Sequence, residues 1–312
     1  MTDTAARHAA PTEQTAPPAP SPDQPSARKT RTARAPWRRS TRSIVRHVGL
    51  VLFAILMLYP LLWMVSSSLK PDALIFRETG LIPNAIDWDN YTGGWDALAS
   101  PFGRYMINSA IVVAGSLVGN LLTCSMAAYA FARLEFRGRK WWFAIMLLTI
   151  MLPIHVIIVP QYVMFSQLDL INTFWPLILP KLLATDAFFI FLMVQFFRGI
   201  PRELDDAARI DGCGHGRIYA QIMMPLAVPA LATTAIFTFI WTWNDFFSQL
   251  IFLTRPEMYT VPIALSAFLD STGESSWGSM FAMSVVSLVP IFLVFLFGQK
   301  YLVKGIATTG IK

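Results

Sequence analysis

The sequence predicts an all-α membrane protein, a bundle of six transmembrane helices, on three observations. Of 312 residues, 54% are hydrophobic and only 14% are charged, whereas about a quarter of the residues in soluble domains are charged. The apolar residues gather into six blocks, each near the roughly 20 residues that a helix needs to cross hydrocarbon. The blocks lack the period-two alternation of membrane β-strands, so each backbone group must be satisfied within its own helix.

The six apolar blocks follow one another along the chain at short polar intervals. They lie at about residues 44–66, 105–132, 141–165, 176–197, 224–253 and 280–302. The fourth block is the weakest, because Lys181 and Asp186 interrupt it and Pro176 and Pro180 stand at its start. We therefore expect a separate turn in its outer part and a true span that begins near Ala184.

The segment before the first block, residues 1–43, predicts a disordered, basic tail. Its first part is rich in Ala, Pro, Thr and Ser and has almost no large apolar side chains, a composition that does not form a core. No cleavable signal sequence is expected. The first apolar block lies too deep and runs too long for the apolar region of such a signal, so it should remain as a helix.

Positive charge places both ends of the chain in the cytoplasm, because cytoplasmic flanks carry the excess of Lys and Arg. Nine basic residues precede His47, the loop "RLEFRGRK" carries four, and three lysines follow Gly298. Residues 67–104 instead hold three basic and five acidic residues. The net charge of +6 thus indicates topology more than binding of nucleic acid. The basic tail could contact anionic membrane lipid or RNA, but a flank that is retained inside is the favoured interpretation. Residues 304–312 form a cytoplasmic C-terminal tail.

A polar island, residues 198–217, separates the fourth and fifth blocks and is expected in the cytoplasm. Four arginines balance four acids there, and small or apolar residues recur between them. Pro201 suits the first turn of a helix and Gly212 suits its end, which predicts a short helix, a bend and a second short helix. Such a unit could insert into a groove on a soluble partner; an ordinary solvated loop between helices is the alternative.

The island resembles the EAA motif of ABC-importer membrane subunits, Glu-Ala-Ala, three residues, Gly, nine residues, then Ile-x-Leu-Pro. The matching residues are Asp206, Ala207, Ala208, Gly212, Ile222, Met224 and Pro225. Asp206 departs from the usual Glu and Met224 from the usual Leu. With "WTWNDFF" and the ending "YLVKGIATTGIK", residues 44–312 resemble the MalG-like branch of carbohydrate-uptake permeases.

This resemblance implies a type I importer permease with a transmembrane domain at residues 44–303 and a coupling loop at residues 198–222. It also implies four kinds of partner: a second, homologous permease subunit, a pair of ATP-binding-cassette ATPase subunits, an extracytoplasmic solute-binding protein and a sugar substrate. Asp206, Ala207, Ala208 and Gly212 are expected to form the docking core for the ATPase, with Glu203, Arg209 and Asp211 at its rim. The C-terminal tail is expected to reach into the ATPase interface, and the outer loop 255–279 to contact the binding protein.

The chain itself is expected to be a transport subunit and not an enzyme. It contains no G-x-x-x-x-G-K-[ST] stretch that would hold ATP phosphates, so ATP hydrolysis would belong to separate subunits. We expect no cofactor and no metal, and neither a disulfide nor a zinc site from Cys124 and Cys213. His155 stands alone, which favours a packing role over a proton relay.

The candidates for a substrate pathway are Trp241, Asn244 and Asp245, because polar residues stand next to aromatic ones at this point of the fifth block. Ionisable groups within a span usually face protein or water, and aromatic faces can stack on sugar rings. Interfacial anchoring and helix packing are the alternatives for these residues.

Two other classes of function are alternatives to an importer permease. A secondary transporter driven by an ion gradient would predict paired acids in the spans and an internal repeat, and neither is evident. A membrane-embedded enzyme would need a convergent catalytic constellation, which four scattered histidines do not supply. The sequence does not identify the sugar.

Overall fold

The structure is a computed structural model that describes residues 37–269 and 276–309. Regular structure in these residues is helical throughout, which confirms the predicted all-α fold class. Most of the predicted N-terminal tail lies outside the described residues, as do the end of the C-terminal tail and part of the outer loop. Four described helical segments are long and apolar enough to cross a membrane, and the number rises to six if two bent pairs each count as one span.

The chain divides into two units, Met1–Leu56 and Met57–Lys312. Helix α1, Trp37–Ser67, begins in the first unit and ends in the second. Residues 44–62 of this helix are all exposed, whereas Ser66 and Ser67 at its end are buried. In a membrane, the exposed side chains would lie against lipid or another protein chain.

The segment after α1 contains two short helices, α2 (Asp72–Ile75) and α3 (Asp89–Asp96). A fully buried lysine, Lys70, holds the loop between them. Its Nζ donates to the carbonyl of Glu78 at 2.8 Å and to that of Gly80 at 2.7 Å. The loop's own carbonyls thus satisfy this charge.

The second span is the continuous helix predicted for block 105–132. It consists of α4 (Phe102–Gly119), one π-helical turn (Asn120–Cys124) and α5 (Ser125–Arg133). A π turn shifts the phase of the residues that follow it, and such turns are frequent at functional sites.

The third block, predicted as one span over 141–165, is bent by 98°. Helix α6 (Arg139–Thr149) ends before Pro153, and α7 (Ile154–Gln167) starts after it. Proline cannot continue the hydrogen bonding of the preceding turn, and it restricts the residue before it to extended conformations.

The fourth block divides as the sequence predicts. Helix α8 (Trp175–Leu182) forms the separate first part, and α9 (Ala187–Gly199) forms the longer second part. The chain turns between them through Ala184, which adopts a φ of 56°.

The polar island contains the predicted pair of short helices, α10 (Glu203–Ile210) and α11 (His215–Ile218). A π turn (Tyr219–Met223), α12 (Met224–Leu226) and α13 (Val228–Trp243) follow. The axis bends by 76° between Leu226 and Val228, next to Pro225 and Pro229, so these prolines mark a change of direction.

The fifth block was expected to continue to residue 253, but α13 ends at Trp243. Asn244 and Asp245 form a turn, and a separate helix, α14 (Phe247–Phe252), follows. The next loop holds a 3₁₀ turn (Pro256–Met258) and α15 (Val261–Ala267). The last helix, α16 (Trp277–Thr309), includes the sixth apolar block and most of the predicted C-terminal tail.

Within residues 37–269 and 276–309, buried side chains form three clusters, and one of them includes residues of the polar island. This cluster joins residues of α5 and α9, such as Tyr129 and Phe197, to Ala208 of α10 and Ile218 of α11. The island is therefore packed on the ends of two transmembrane helices, and its position depends on theirs.

Candidate functional site

Helix α10 has one face toward the protein and one toward solvent. Asp205 and Ala208, three residues apart, are both 6% exposed. Glu203, Asp206, Ala207 and Ile210 are exposed, and they recur at the spacing of one helical face. Asp205 and Ala208 thus pack against the rest of the chain, and the opposite face of the helix is exposed to solvent.

The exposed face of α10 mixes apolar and acidic groups. Ile210 is 87% exposed, so this face offers a large apolar side chain. Asp206 lies 3.8 Å from Arg209 in an ion pair whose side chains are 68% and 50% exposed. Such a pair contributes little to stability, so both groups are free to contact another molecule.

The predicted docking residues are divided by this orientation. Glu203, Asp206, Ala207, Arg209 and Asp211 are exposed, whereas Ala208 packs into the chain's own core. Ala208 therefore lies on the side of the helix that packs against the rest of the chain.

Gly212 ends α10 in a left-handed conformation with a φ of 80°. A Cβ built on this residue would have no heavy atom of the described chain within 4 Å. The backbone conformation, and not lack of space within the chain, is what requires glycine here.

Arg133, the last residue of α5, connects α10 to the transmembrane helices. Its Nη1 lies 3.2 Å from Oδ2 of Asp205, and the two side chains are 3% and 8% exposed. Its Nη2 donates to the carbonyls of Phe197 and Ile200 at 2.6 Å each. A single guanidinium thus joins α5, the end of α9 and α10.

A second candidate region is a cavity of about 1400 Å³ on the membrane-spanning part of the chain. Trp241, Asn244 and Asp245, the predicted pathway residues, all line it. Trp241 is 49% exposed and packs against Phe188 and Phe189 with ring centroids 5.3 and 5.2 Å away. The cavity wall therefore offers an aromatic surface beside polar groups.

Asn244 and Asp245 also have structural roles at the end of α13. The Nδ2 of Asn244 donates to the carbonyl of Ile240 at 2.8 Å. The Oδ1 of Asp245 accepts from the backbone N–H of Ser248 at 3.1 Å, in the first turn of α14. Among the described residues, no Lys or Arg pairs with Asp245, which leaves its charge on the cavity side uncompensated.

A polar network links the cavity wall to the second span. Lys181 and Asp186, the two charged residues of the fourth block, form an ion pair, with Nζ 2.9 Å from each carboxylate oxygen. Oδ2 of Asp186 also accepts from Nδ2 of Asn120 at 2.7 Å, and the same Nδ2 lies 3.1 Å from Oγ1 of Thr238. Asn120 belongs to the π turn, so this turn aims its amide at the network.

Sequence reasoning missed Arg133, Asn120 and Thr238 as site residues. Arg133 was interpreted only as part of a basic cytoplasmic flank. The position of an arginine at the end of a span, followed by a loop with three further basic residues, gave no sign that this one is buried. Asn120 could have been recognised as a site residue from the sequence, because a polar amide inside a span needs a hydrogen-bond partner.

His155 lies beside the ring of Phe247, with centroids 4.8 Å apart. The outer loop predicted to contact a binding protein is described on either side of residues 270–275. Its first part is fastened to α4, since Nδ2 of Asn108 donates to the carbonyls of Glu257 and Tyr259 at 3.0 and 2.8 Å.

Comparison with known families matches residues 119–308 to the binding-protein-dependent transport system inner membrane component. The matched range includes α5, the polar island, most of α16 and all of the cavity lining except Val112 and Ser116. The polar island and the predicted pathway residues Trp241, Asn244 and Asp245 therefore lie inside the part of the chain that the family describes.

Two similar proteins have related names. The probable ABC transporter permease protein YurM of Bacillus subtilis is 36% identical over 265 residues, which are 85% of this chain and 87% of that protein. The arabinooligosaccharides transport system permease protein AraQ of Halalkalibacterium halodurans is 33% identical over 268 residues, 85% of this chain and 95% of that one.

A solved structure also resembles the chain. It is a bacterial ABC transporter involved in the import of the acidic polysaccharide alginate. The match has a TM-score of 0.73 at 26% identity and covers 86% of this chain and 98% of the other. The likeness extends over nearly the whole described helical structure.

Proposed function

Because this chain belongs to the binding-protein-dependent transport system inner membrane component family, we propose that it is the permease subunit of an ATP-driven importer that takes up a sugar. The observation that carries the proposal is the way in which α10 packs on the transmembrane helices. One face is buried against the ends of two spans, and the other presents Asp206, Ala207 and Ile210 to solvent. A helix placed in this way can receive a force from outside the membrane and pass it inward.

The exposed face of α10 supports docking of an ATPase subunit. Ala207 permits close approach of a partner backbone, Ile210 supplies apolar area, and the acids at 203 and 206 can fix orientation through charge. The docking core in this chain is then Asp206, Ala207 and Gly212, with Glu203, Arg209 and Asp211 around them. Ala208 acts from the inner side.

The sugar part of the proposal rests on two kinds of support. Relatives carry names that specify saccharides, such as arabinooligosaccharides. The cavity of this chain combines the half-exposed ring of Trp241 with the amide of Asn244 and the carboxylate of Asp245. Aromatic faces pack on the C–H faces of sugars, and amide and carboxylate oxygens accept their hydroxyl hydrogens.

The proposal requires three protein partners. A second, homologous permease would close the cavity, which is partly open in this chain. A pair of ATPase subunits would dock on α10, with the C-terminal tail beside them. A solute-binding protein would deliver sugar at the opposite face, where the loop 255–279 and the segment 67–104 are proposed to lie. Both termini and the polar island would then be cytoplasmic.

The importer is tested by transport in proteoliposomes that contain the chain with its co-purified partners. Uptake of labelled mono-, di- and oligosaccharides is measured with ATP inside the vesicles and with ionophores that collapse ion gradients. Uptake that requires ATP and persists without gradients is expected. Uptake that needs an ion gradient and ignores ATP would identify a secondary transporter and overturn the proposal.

The docking surface has its own test, a cysteine placed at Ala207 of α10. Cys213, which is partly exposed, is first replaced by Ser so that only the new thiol reacts. We expect Ala207→Cys to crosslink to the ATPase with a short bifunctional reagent. Cysteine at the buried Ala208 is the matched control, and equal crosslinking from both positions would contradict the orientation of α10.

A further inference from the structure

We infer that Arg133 is the positioning residue that fixes α10 to the cavity wall, so that movement of α10 is transmitted to α5 and α9 as one unit. The inference rests on the proposed docking of an ATPase on α10. It assigns a mechanical role to a side chain that does not touch either the partner or the substrate.

The first step of the argument is the number of elements that meet at one guanidinium. Nη1 pairs with Asp205 on α10 at 3.2 Å, and Nη2 reaches the carbonyls of Phe197 and Ile200 at 2.6 Å. These carbonyls lie at the C-terminal end of α9, where a helix has acceptors with spare capacity; that of Phe197 also accepts from the backbone N–H of Ile200 at 3.2 Å. The planar fork of arginine can serve all of these acceptors together, which the single ammonium of lysine cannot.

The second step is burial. The side chains of Arg133 and Asp205 are 3% and 8% exposed, so water does not compete for the pair. A buried charge that loses its partner is left uncompensated. Separation of α10 from α5 would leave the guanidinium of Arg133 without its counter-charge beside the apolar cluster that contains Tyr129 and Phe197. The two helices are therefore constrained to move together.

The third step is the path from this joint to the cavity. Helix α9 starts at Ala187, and its residues Phe188 and Phe189 line the cavity. The other end of the helix contacts Arg133. Helix α5 runs alongside it, and the π turn that precedes α5 is joined to the start of α9 by the bond from Asn120 to Asp186. The two helices are thus connected at both ends. A displacement applied at α10 acts on one end of this pair, and the cavity wall is the other end.

Two quantities distinguish a residue that transmits movement from one that only stabilises the fold. Loss of a merely stabilising residue should lower the ATPase rate and the movement of the cavity wall together, whereas loss of a transmitting residue should lower only the movement. The reporter for the wall is Thr185→Cys, an exposed position that lines the cavity, in a Cys213→Ser background. Its rate of reaction with a maleimide is measured in the full complex without nucleotide and with MgATP plus orthovanadate. The difference between the two rates reports the movement.

We expect Arg133→Gln to retain its co-purified ATPase and to hydrolyse MgATP at a rate within about twofold of the original. The nucleotide-dependent difference in labelling should fall by about tenfold, as for residues that carry coupling between sites. Arg133→Lys, which keeps the charge but not the fork, should fall between the two. Arg139→Gln is the matched control. Its guanidinium lies near the same membrane face and donates to the carbonyl of Leu134 within its own loop, so the difference should remain unchanged.

Asp205→Asn provides a second variant that preserves volume, and it carries the test if Arg133→Gln does not assemble. The inference is overturned if both Arg133→Gln and Asp205→Asn keep the full labelling difference, or if ATPase rate and labelling decline in proportion. Failure of the proposed function looks different. In that case the unsubstituted complex would show no nucleotide-dependent labelling of Thr185→Cys, and Ala207→Cys would not capture an ATPase.

Discussion

Asn120 donates a hydrogen bond of 2.7 Å to Asp186, from the π turn of the second span to the start of α9. Asp186 in turn pairs with Lys181, whose backbone lies against the second span. The fully buried Asn120 thus connects the scaffold of the bundle to a charged pair on the cavity wall. This connection makes the region around Asp186 sensitive to single substitutions.

Replacement of Asp186 by Ala should destabilise the chain. It removes the acceptor of Asn120 and the counter-charge of Lys181, and a buried donor without its partner costs about 1–3 kcal/mol. The expected measurement is a lower midpoint of thermal unfolding in detergent. Thr185→Ala is the neighbouring control, because Oγ1 of Thr185 bonds only the carbonyl of Pro180 at an exposed position, and it should shift the midpoint little.

Gly119→Ala should be destabilising for a different reason. A Cβ on Gly119 would lie 2.8 Å from the carbonyl carbon of Lys181 and 2.9 Å from the backbone nitrogen of Leu182. Backbone atoms cannot move aside as a flexible side chain can, so α4 and α8 would have to separate, at a cost of about 1–3 kcal/mol.

The matched variant for Gly119 is Gly199→Ala, where an added Cβ meets nothing within 4 Å. Both changes replace a helical glycine by alanine, so their difference isolates the steric term. Unfolding midpoints in detergent that are equal for the two variants would contradict close packing of α4 on α8.

Two isoleucines should reveal the orientation of the chain in the membrane. Ile210 of the polar island is 87% exposed, and Ile82 of the loop between α2 and α3 is 85% exposed. With Cys213 replaced by Ser, a membrane-impermeant maleimide should label Ile82→Cys in intact cells and Ile210→Cys only in inverted vesicles. The reverse pattern would place the island outside and remove the basis for ATPase docking.

The sequence predicted the helical spans well, because hydrocarbon thickness and backbone satisfaction leave few alternatives for long apolar blocks. It did not predict where α13 ends or how sharply the third block bends. The continuing apolar composition past Trp243 hides the turn at Asn244 and Asp245. Hydrophobicity reports the environment of a segment, and hydrogen-bond partners determine where the helix within it stops.

The candidate site was predicted less completely, for a geometric reason. Spacing identified the polar island, and the motif pointed to Asp206. Which of the adjacent acids faces inward depends on the rotation of α10 about its axis, and the structure places Asp205 on the side of Ala208. The partner of Asp205, Arg133, lies on a distant part of the chain. Such pairings follow from tertiary packing and leave no local pattern in the sequence.

Asp245→Asn should change the charge of the cavity with little effect on the fold. An asparagine side chain retains an oxygen that can accept from the N–H of Ser248, so the start of α14 keeps its bond. Among the described residues that line the cavity, Lys181 is paired with Asp186, and Asp245 therefore adds one unpaired negative charge. We expect the substitution to favour uptake of acidic saccharides relative to neutral ones.

The measurement for Asp245 is competition between a labelled neutral oligosaccharide and an oligouronate in ATP-loaded proteoliposomes. Asp245→Ala is the contrasting variant, because it removes both the charge and the acceptor of the Ser248 N–H. It should also lower the free energy of unfolding by about 1 kcal/mol, which appears as a lower unfolding midpoint. A selectivity ratio that is the same for the original chain and Asp245→Asn would show that this carboxylate does not face the transported solute.

Gly212 allows the last prediction, which separates backbone strain from contact with a partner. Its φ of 80° is tolerated by asparagine far better than by other side chains. No atom of the described chain would obstruct an added Cβ, so Gly212→Asn should fold with a loss of stability of about 1 kcal/mol or less. Gly212→Arg should also assemble in the membrane, but its long side chain would project from α10 toward the docked ATPase.

The expected outcome is that Gly212→Asn retains most sugar uptake, whereas Gly212→Arg loses it while the chain remains at normal levels in the membrane. ATP hydrolysis by the complex, measured with the same samples, should lose its response to the binding protein in the arginine variant. Equal loss in both variants would mean that the left-handed turn itself is what uptake requires. Unchanged uptake in both would exclude Gly212 from the docking surface, since open space around its Cα would then be empty of any partner.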